Sequence, residues 1–479
     1  MKNVQLSYII SCFLITILVS GGMTGSLFKA EPISNDTYGL LIISPALFIE
    51  DLQILADHKE NHGINTIIAS IETILNHETT VKGRDDAEKM KYYIQYALEQ
   101  YDLSFVLLIG GKIGQSDDWY LPVRYVAMDN GWEAHYISDL YFADIYDDIG
   151  QFSSWDNDND GIYGEWIEGQ TPDDKDINLY PDVSIGRIPC RNKNQLQNVI
   201  EKIIFYESNT YDQPWFHNMI AIAGDTYPES HNPLWVGYEG EYYADLALGY
   251  MQGFTPIRLY LSENGFADHS DVIDALNPGC GFVYFVGHGN PRSWGNHPPD
   301  SDEFVDGLQT HHMRQLQNKD KYPICVVSGC HNNQFDVGLT NLIHGFLEDG
   351  FQFFSAQGGK FWQSEWVPEC WGWKLLQKVD GGSIASYGVT ALGHTKEDKT
   401  SFTGGINELE VEMFHQYGQL DVCYAGDLLK NAIIWYLDTY AVDWSVTDDA
   451  LLRDTWVDVQ VMQSYILFGD PSLKIGGYE

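Results

Sequence analysis

Two short apolar runs in this chain each end in a reactive side chain. Residues 282–289 read Phe-Val-Tyr-Phe-Val-Gly-His-Gly, and residues 323–330 read Pro-Ile-Cys-Val-Val-Ser-Gly-Cys. Runs of this length, rich in β-branched and aromatic residues, are expected to be buried strands. Glycines at their ends let the chain turn sharply or approach a ligand. In one parallel sheet both ends would open on the same edge, where open α/β sheets bind ligands. His288 and Cys330 would then face each other across a crevice, as base and nucleophile. A thiol of ordinary pKa is mostly protonated near neutrality, so attack needs a cationic or helix N-terminal setting. A helix soon after Cys330 and the imidazole of His288 would supply both. With little side chain around them, the N–H groups of Gly289 and Cys330 can point at a developing oxyanion.

Three other readings compete. A histidine and a cysteine at strand ends can be mere packing residues, and only the matched strand-glycine context argues for chemistry. His288, His297, His311, His312 and His331 crowd the same region, which suggests a metal hydrolase. Their spacing gives no H-E-x-x-H pattern and no carboxylate at helical register. A fold that has lost its chemistry could serve as a secreted binding module. Retention of both His288 and Cys330 speaks against that.

The 479 residues suffice for two or three cores, and the apolar content of 44% is globular. A formal charge of −41, from 68 acidic and 27 basic residues, disfavours nucleic acid and anionic membranes as partners. It fits a soluble secreted protein or calcium binding. Lys2 and the apolar run 8–20, followed by small residues, read as an export signal over residues 1–30; an uncleaved anchor is the alternative. Of seven cysteines none has C-x-x-C spacing. Without Cys12 and Cys330 an odd number remains, so at least one stays unpaired or pairs between chains.

Strands are expected at 39–44, 64–70, 104–110, 183–188, 219–223, 257–261 and 351–356. Helices are expected at 46–62, 84–100, 193–207, 238–251, 270–276, 337–347, 370–378 and 426–436. Alternation of this kind predicts an α/β fold, a mostly parallel sheet with helices on its faces. Turn chemistry at Asp212-Gln213-Pro214 divides it into subdomains at 36–212 and 213–479. The rhythm breaks at 139–180, around Asp156-Asn-Asp158-Asn-Asp160-Gly161-Ile-Tyr-Gly164-Glu165. Alternate carboxylates before a glycine are how a calcium loop wraps a hard cation. Asp156, Asp158, Asp160 and Glu165 are the expected ligands of a structural Ca²⁺. The closing glutamate comes too early for an EF-hand, and a solvated acidic loop is the alternative.

Tyr284-Phe-Val-Gly-His288-Gly289 and Val327-Ser-Gly-Cys330 together resemble the gingipain family of cysteine peptidases, within the caspase-like clan. So do Pro181-Asp182-Val-Ser-Ile-Gly-Arg187 and the closing Phe468-Gly-Asp-Pro-Ser-Leu473. The likeness runs in order over residues 38–475. It implies a caspase-like three-layer sandwich, an endopeptidase acting on proteins or peptides, Cys330 as nucleophile and His288 as general acid/base. It also implies oxyanion donors at Gly289 and Cys330, and Asp182 as an acid oriented toward the histidine. Trp294 also has a counterpart and, with Gln195, is expected at the substrate pocket, and Trp362 matches an aromatic wall of the specificity pocket. Arg-directed members carry an aspartate where Gln195 stands, so the resemblance does not imply specificity for basic residues. His331 and Asn332-Asn333 also depart from the family's residues. Oligomeric state is not legible in the sequence.

Overall fold

A computed structural model describes residues 38–228, 237–355, 360–396 and 403–479. The expected signal lies outside the described residues. From Asp36 to Glu479 the chain is one compact unit. No helix among the described residues is long and apolar enough to cross a membrane.

Ten strands form the central sheet: β1 (Leu40–Ser44), β2 (Thr66–Ser70), β3 (Phe105–Ile109), β4 (Ser184–Ile188), β5 (Asn218–Ala223), β6 (Thr255–Tyr260), β7 (Phe282–Val286), β8 (Ile324–Ser328), β9 (Ala385–Val389) and β10 (Tyr465–Phe468). Their order is β6-β5-β7-β8-β9-β10-β4-β3-β1-β2. Strands from before and after residue 212 therefore occupy separate sides of one continuous sheet. Pairing is parallel from β6 to β9, and β10 runs antiparallel to β9. The last strand meets β4 at one register position, Phe468 opposite Arg187.

The continuous apolar runs follow from burial on both faces. In β7, Phe282, Tyr284 and Val286 enter one core while Val283 and Phe285 enter another. β8 splits likewise, with Ile324 and Val326 on one side and Cys325 and Val327 on the other. This period of two makes the sheet the middle layer of a three-layer α/β sandwich. Among the flanking helices are α1 (Ile49–Asn61), α2 (Asp86–Tyr101), α3 (Lys193–Asn209), α4 (Glu239–Tyr250), α5 (Thr340–Asp349), α6 (Ile406–Leu420) and α7 (Ala425–Thr439). Asp85 caps α2 by accepting from Glu88 N at 2.8 Å, and Asn192 caps α3 by accepting from Gln195 N at 3.1 Å.

The strand expected at 351–356 is not formed; Gly350–Phe354 is a 3-10 turn entered at a positive φ of 56°. Its aromatic rings pack on one another instead of joining the sheet.

On one face Glu410 of α6 is buried and accepts from Tyr284 Oη at 2.9 Å and Tyr465 Oη at 3.2 Å, tying β7 to β10. Burial pushes its pKa up to about 8 despite these hydrogen bonds. The native state thus holds this proton more tightly than the unfolded chain. The stability it contributes is full below the unfolded value and is lost as pH rises toward 8. Glu410→Gln, which cannot ionise, should raise the Tm relative to wild type at pH 8 and much less at pH 5. An equal difference at both pH values in calorimetry would contradict this.

Candidate active site

β7 leaves the sheet through Gly287, whose N–H donates to Ser328 O at the end of β8 (3.1 Å). His288 and Gly289 then pair antiparallel with Gly295 and Trp294. This hairpin carries Trp294 inward, where it is fully buried against Phe285 and donates to Ser328 O at 3.2 Å. Trp294 therefore supports the histidine turn from below and is not a pocket wall. His288 Nε2 lies 2.8 Å from Thr226 O. The backbone carbonyl there fixes the ring, a role for which Asp182 was expected.

Asp182 is elsewhere. Its carboxylate accepts from Ile145 N at 2.7 Å and Tyr146 N at 3.0 Å, and burial raises its pKa. It precedes β4, whereas Arg191, beyond the other end of β4, donates to the Phe335 and Val337 carbonyls just past the cysteine turn. The Asp182 N–H donates to Ala143 O and its carbonyl accepts from Lys430, so its hydrogen-bond partners lie in the 143–146 turn and on α7, not in the Thr226 loop that holds His288.

Below Thr226, Asp225 and Glu239 are buried side by side, and burial pushes Glu239 up to about 8. Glu239 accepts from Tyr227 N at 3.1 Å and so anchors the loop that presents the Thr226 carbonyl.

At the end of β8, Gly329 and Cys330 lead into His331, which takes a left-handed φ of 57° in place of an extended one. His331 N and Asn333 N donate to Ala391 O and Val389 O, which fixes the turn against β9. Asn332 is fully buried, and its Nδ2 donates to Asn290 O at 2.9 Å and Ser293 O at 3.1 Å. One amide thus ties the cysteine turn to the histidine turn. A Cβ on Gly289 would collide with this amide, and a Cβ on Gly329 would meet both the amide and the Gly289 backbone. The glycines are what let the two turns touch. Cys330 Sγ accepts from Gly393 N at 3.3 Å, and burial raises its pKa, so the resting group is the thiol.

Cys330 and Gly289 open onto a cavity of about 430 Å³. Trp362 forms a wall, packed on Trp132 at 5.4 Å between ring centroids. Glu133, Asp336 and Glu365 supply carboxyl groups to the lining. Burial pushes Glu133 up to about 8 and His331 down to about 4, so their 3.6 Å contact joins two neutral groups. Burial, and then Asp336, also raise Glu365. Asp336 accepts from Tyr125 Oη at 3.1 Å through one oxygen, and its other oxygen has no partner. Gln334 gives its N–H to Glu365, leaving its own oxygen without a donor. The lining therefore offers more acceptors than donors. Gln195 takes no part: its oxygen accepts from Arg191 N and its amide donates to Glu369.

The sequence did not single out Thr226, Glu133, Asp336 or Glu365. A backbone acceptor leaves no side-chain signal, and the three acids are scattered among the chain's 68 acidic residues.

In the acidic loop, Asp156 and Asp158 bring carboxylate oxygens within 4.8 Å of each other and of Asp174. Asp160 and Glu165 are not in this group. Asp160 accepts from Ile162 N at 2.7 Å, and Glu165 enters by its N–H, which donates to Asp174 at 3.0 Å. Arg84 also pairs with Asp156 at 2.6 Å. Three hard oxygen donors at this spacing fit a calcium-sized cation.

Asn332→Ala would leave the Asn290 and Ser293 carbonyls buried without their donor, at about 1–3 kcal/mol. The expected result is lower stability together with a fall in kcat/KM for any substrate cleaved at Cys330. Unchanged turnover would separate this amide from the site.

The residues 33–476 match the family model described as Peptidase family C25. Gingipain R2 of Porphyromonas gingivalis is 23% identical over 312 residues, 64% of this chain and 34% of the relative. Lys-gingipain of the same organism is 28% identical over 261 residues, 53% of this chain and 14% of the relative. The chain thus spans about a third or less of the length of these relatives. In three dimensions it is similar to the Arg-specific cysteine proteinase gingipain R, with a TM-score of 0.60 at 18% identity, covering 93% of this chain and 80% of that one. The complex of the RgpB pro- and mature domains gives 0.58 at 19% identity, over 91% and 79%. These structures share the caspase-like fold of the sandwich described above. With its model matched across nearly the whole length, the chain belongs to peptidase family C25.

Proposed function

We propose that this protein is an exported cysteine endopeptidase that cleaves polypeptides after a basic residue, through Cys330 and His288. The observation that carries the specificity is the cavity beside Cys330, whose carboxyl groups and spare acceptors want a donor-rich, cationic side chain. The relatives named for Arg and Lys point the same way. Here the acceptors come from Asp336, Glu365 and Gln334, not from the position held by Gln195.

The chemistry follows from the protonation states. Cys330 rests as a thiol, so its proton must leave as Sγ attacks the scissile carbonyl carbon. His288, steadied by Thr226 O, receives that proton. The carbonyl oxygen gains charge beside the N–H groups of Gly289 and Cys330. The C–N bond then breaks, the amine departs with the proton from His288, and an acyl-thioester remains on Cys330. Water gives a proton to His288 as its oxygen attacks the thioester. The acid product leaves and the thiol is restored. Residues 1–30 serve as the export signal in this reading.

A peptide library varied at the residue before the cut should show preference for Arg or Lys in the wild type and no cleavage by Cys330→Ala. Asp336→Asn with Glu365→Gln should lower kcat/KM for basic substrates about tenfold or more, roughly 1.4 kcal/mol per factor of ten. Equal cleavage by Cys330→Ala would end the cysteine-peptidase reading. Undiminished preference in the double variant would end the pocket assignment.

We also propose that Asp156, Asp158 and Asp174 hold a structural Ca²⁺, which would relieve the repulsion among them. The apo protein should gain Tm on adding Ca²⁺, and Asp174→Asn should remove the gain. A melting curve indifferent to chelator would remove the site.

A further inference from the structure

The helix α5 (Thr340–Asp349) is turned inside out. Ile343, Phe346 and Leu347 fall at i, i+3 and i+4, the spacing that normally faces a core, yet Ile343 is 60% and Leu347 74% exposed. Gly345 is the one residue of the helix that is buried. The turn that follows adds Phe351, 85% exposed, and Phe354, half exposed, whose rings lie 5.5 and 6.4 Å from Phe346. Single exposed apolar residues need no explanation, but a contiguous aromatic and aliphatic patch marks a binding surface.

The same stretch of chain forms part of the cavity at Cys330. Asn341, at the start of α5, and Trp362 both line that cavity. Phe354 also packs at 5.4 Å on Phe361, itself exposed and next to Trp362, so the patch reaches the reactive cleft along this row of rings, which selects its occupant. A polypeptide with its reactive carbonyl at Cys330 must leave the cavity over its rim. About five extended residues cover the roughly 15 Å length of α5. Self-association is opposed by the −41 charge that each copy carries, and an anionic lipid surface is opposed by the same charge.

Resting on the peptidase reading above, we propose that this patch is an extended substrate-binding surface. It takes a run of aliphatic or aromatic side chains in the substrate, within about five residues of the basic residue held in the cavity. The apolar run would dock by burial, lowering KM more than it raises kcat.

The test uses three fluorogenic peptides sharing one basic cleavage residue: a short one, one extended on both sides by five apolar residues, and one extended by five Ser, Thr or Gly residues. In the wild type the apolar extension should improve kcat/KM at least tenfold over the polar one, chiefly through KM. In Ile343→Ser/Leu347→Ser/Phe351→Ser, whose changes are all at exposed positions, that advantage should vanish while the short peptide is cleaved as before. No advantage in the wild type, or an equal one in the variant, overturns the proposal. So does a parallel loss on the short peptide. It is also overturned if the triple change only converts a dimer to a monomer, or only abolishes binding to phosphatidylcholine vesicles. Should the short peptide not be cleaved at all, the peptidase reading falls. Docking is then read by anisotropy of the labelled apolar peptide on Cys330→Ala, where binding no tighter than that of the polar peptide overturns it.

Discussion

Everything at the reactive edge depends on two strand ends being allowed to touch. β7 and β8 pair in parallel with Val286 opposite Ser328, so their turns leave the sheet at the same level. Contact then requires that neither Gly289 nor Gly329 carry a side chain, because the Asn332 amide fills the space between them. That amide satisfies two carbonyls of the histidine loop while its own oxygen stays buried without a partner. An unmet acceptor costs free energy. It is tolerated here because the two donated bonds hold the two turns in register. Trp294 reinforces the arrangement from beneath by bonding to Ser328 O, the same carbonyl that receives Gly287 N–H.

The orientation of His288 illustrates a division of labour between backbone and side chains. A carbonyl acceptor such as Thr226 O orients an imidazole without placing a full negative charge beside it. It stabilises an imidazolium less than a carboxylate would. Carboxyl groups are still nearby, one layer further down: Asp225 and Glu239 are buried together and act on the loop, not on the ring. With burial raising Glu239 to about 8, this pair can retain a proton near neutrality and avoid the repulsion of two buried anions.

How much of this was legible in the sequence follows from how each feature is encoded. The strand runs before His288 and Cys330 are continuous, β-branched and glycine-ended, so the sheet, the sandwich and the meeting of the two strand-end turns could be read from residue types. The start of α3 at Lys193 was legible to the residue, directly after the Asn192 that caps it. Side-chain destinations after a turn could not be read. Trp294 follows His288 closely in sequence, yet the hairpin between them sends it into the core. Asp182 sits in a motif beside β4, but its carboxylate is taken up by the Ile145 and Tyr146 N–H groups. The segment at 351–356 has strand-like composition, but Gly350 redirects it before it can pair. The spacing of the acidic loop singled out Asp156 and Asp158; Asp174, whose carboxylate lies within 4.8 Å of theirs, comes from a later turn that no local spacing encodes.

The acidity of the chain sharpens what the cavity must do. A charge of −41 attracts any cationic segment toward the surface, and this steering is indiscriminate. Selection in the proposed reading must therefore come from short-range geometry. The Asp336 oxygen and the Gln334 oxygen are buried without donors, so an aliphatic side chain entering the cavity would seal them off unpaired. A site built from unmet hydrogen-bond acceptors rejects a ligand that lacks the donors far more strongly than an apolar pocket rejects a wrong shape. The surface field can raise encounter rates, but the few buried acceptors beside Cys330 must decide which side chain is held long enough to react.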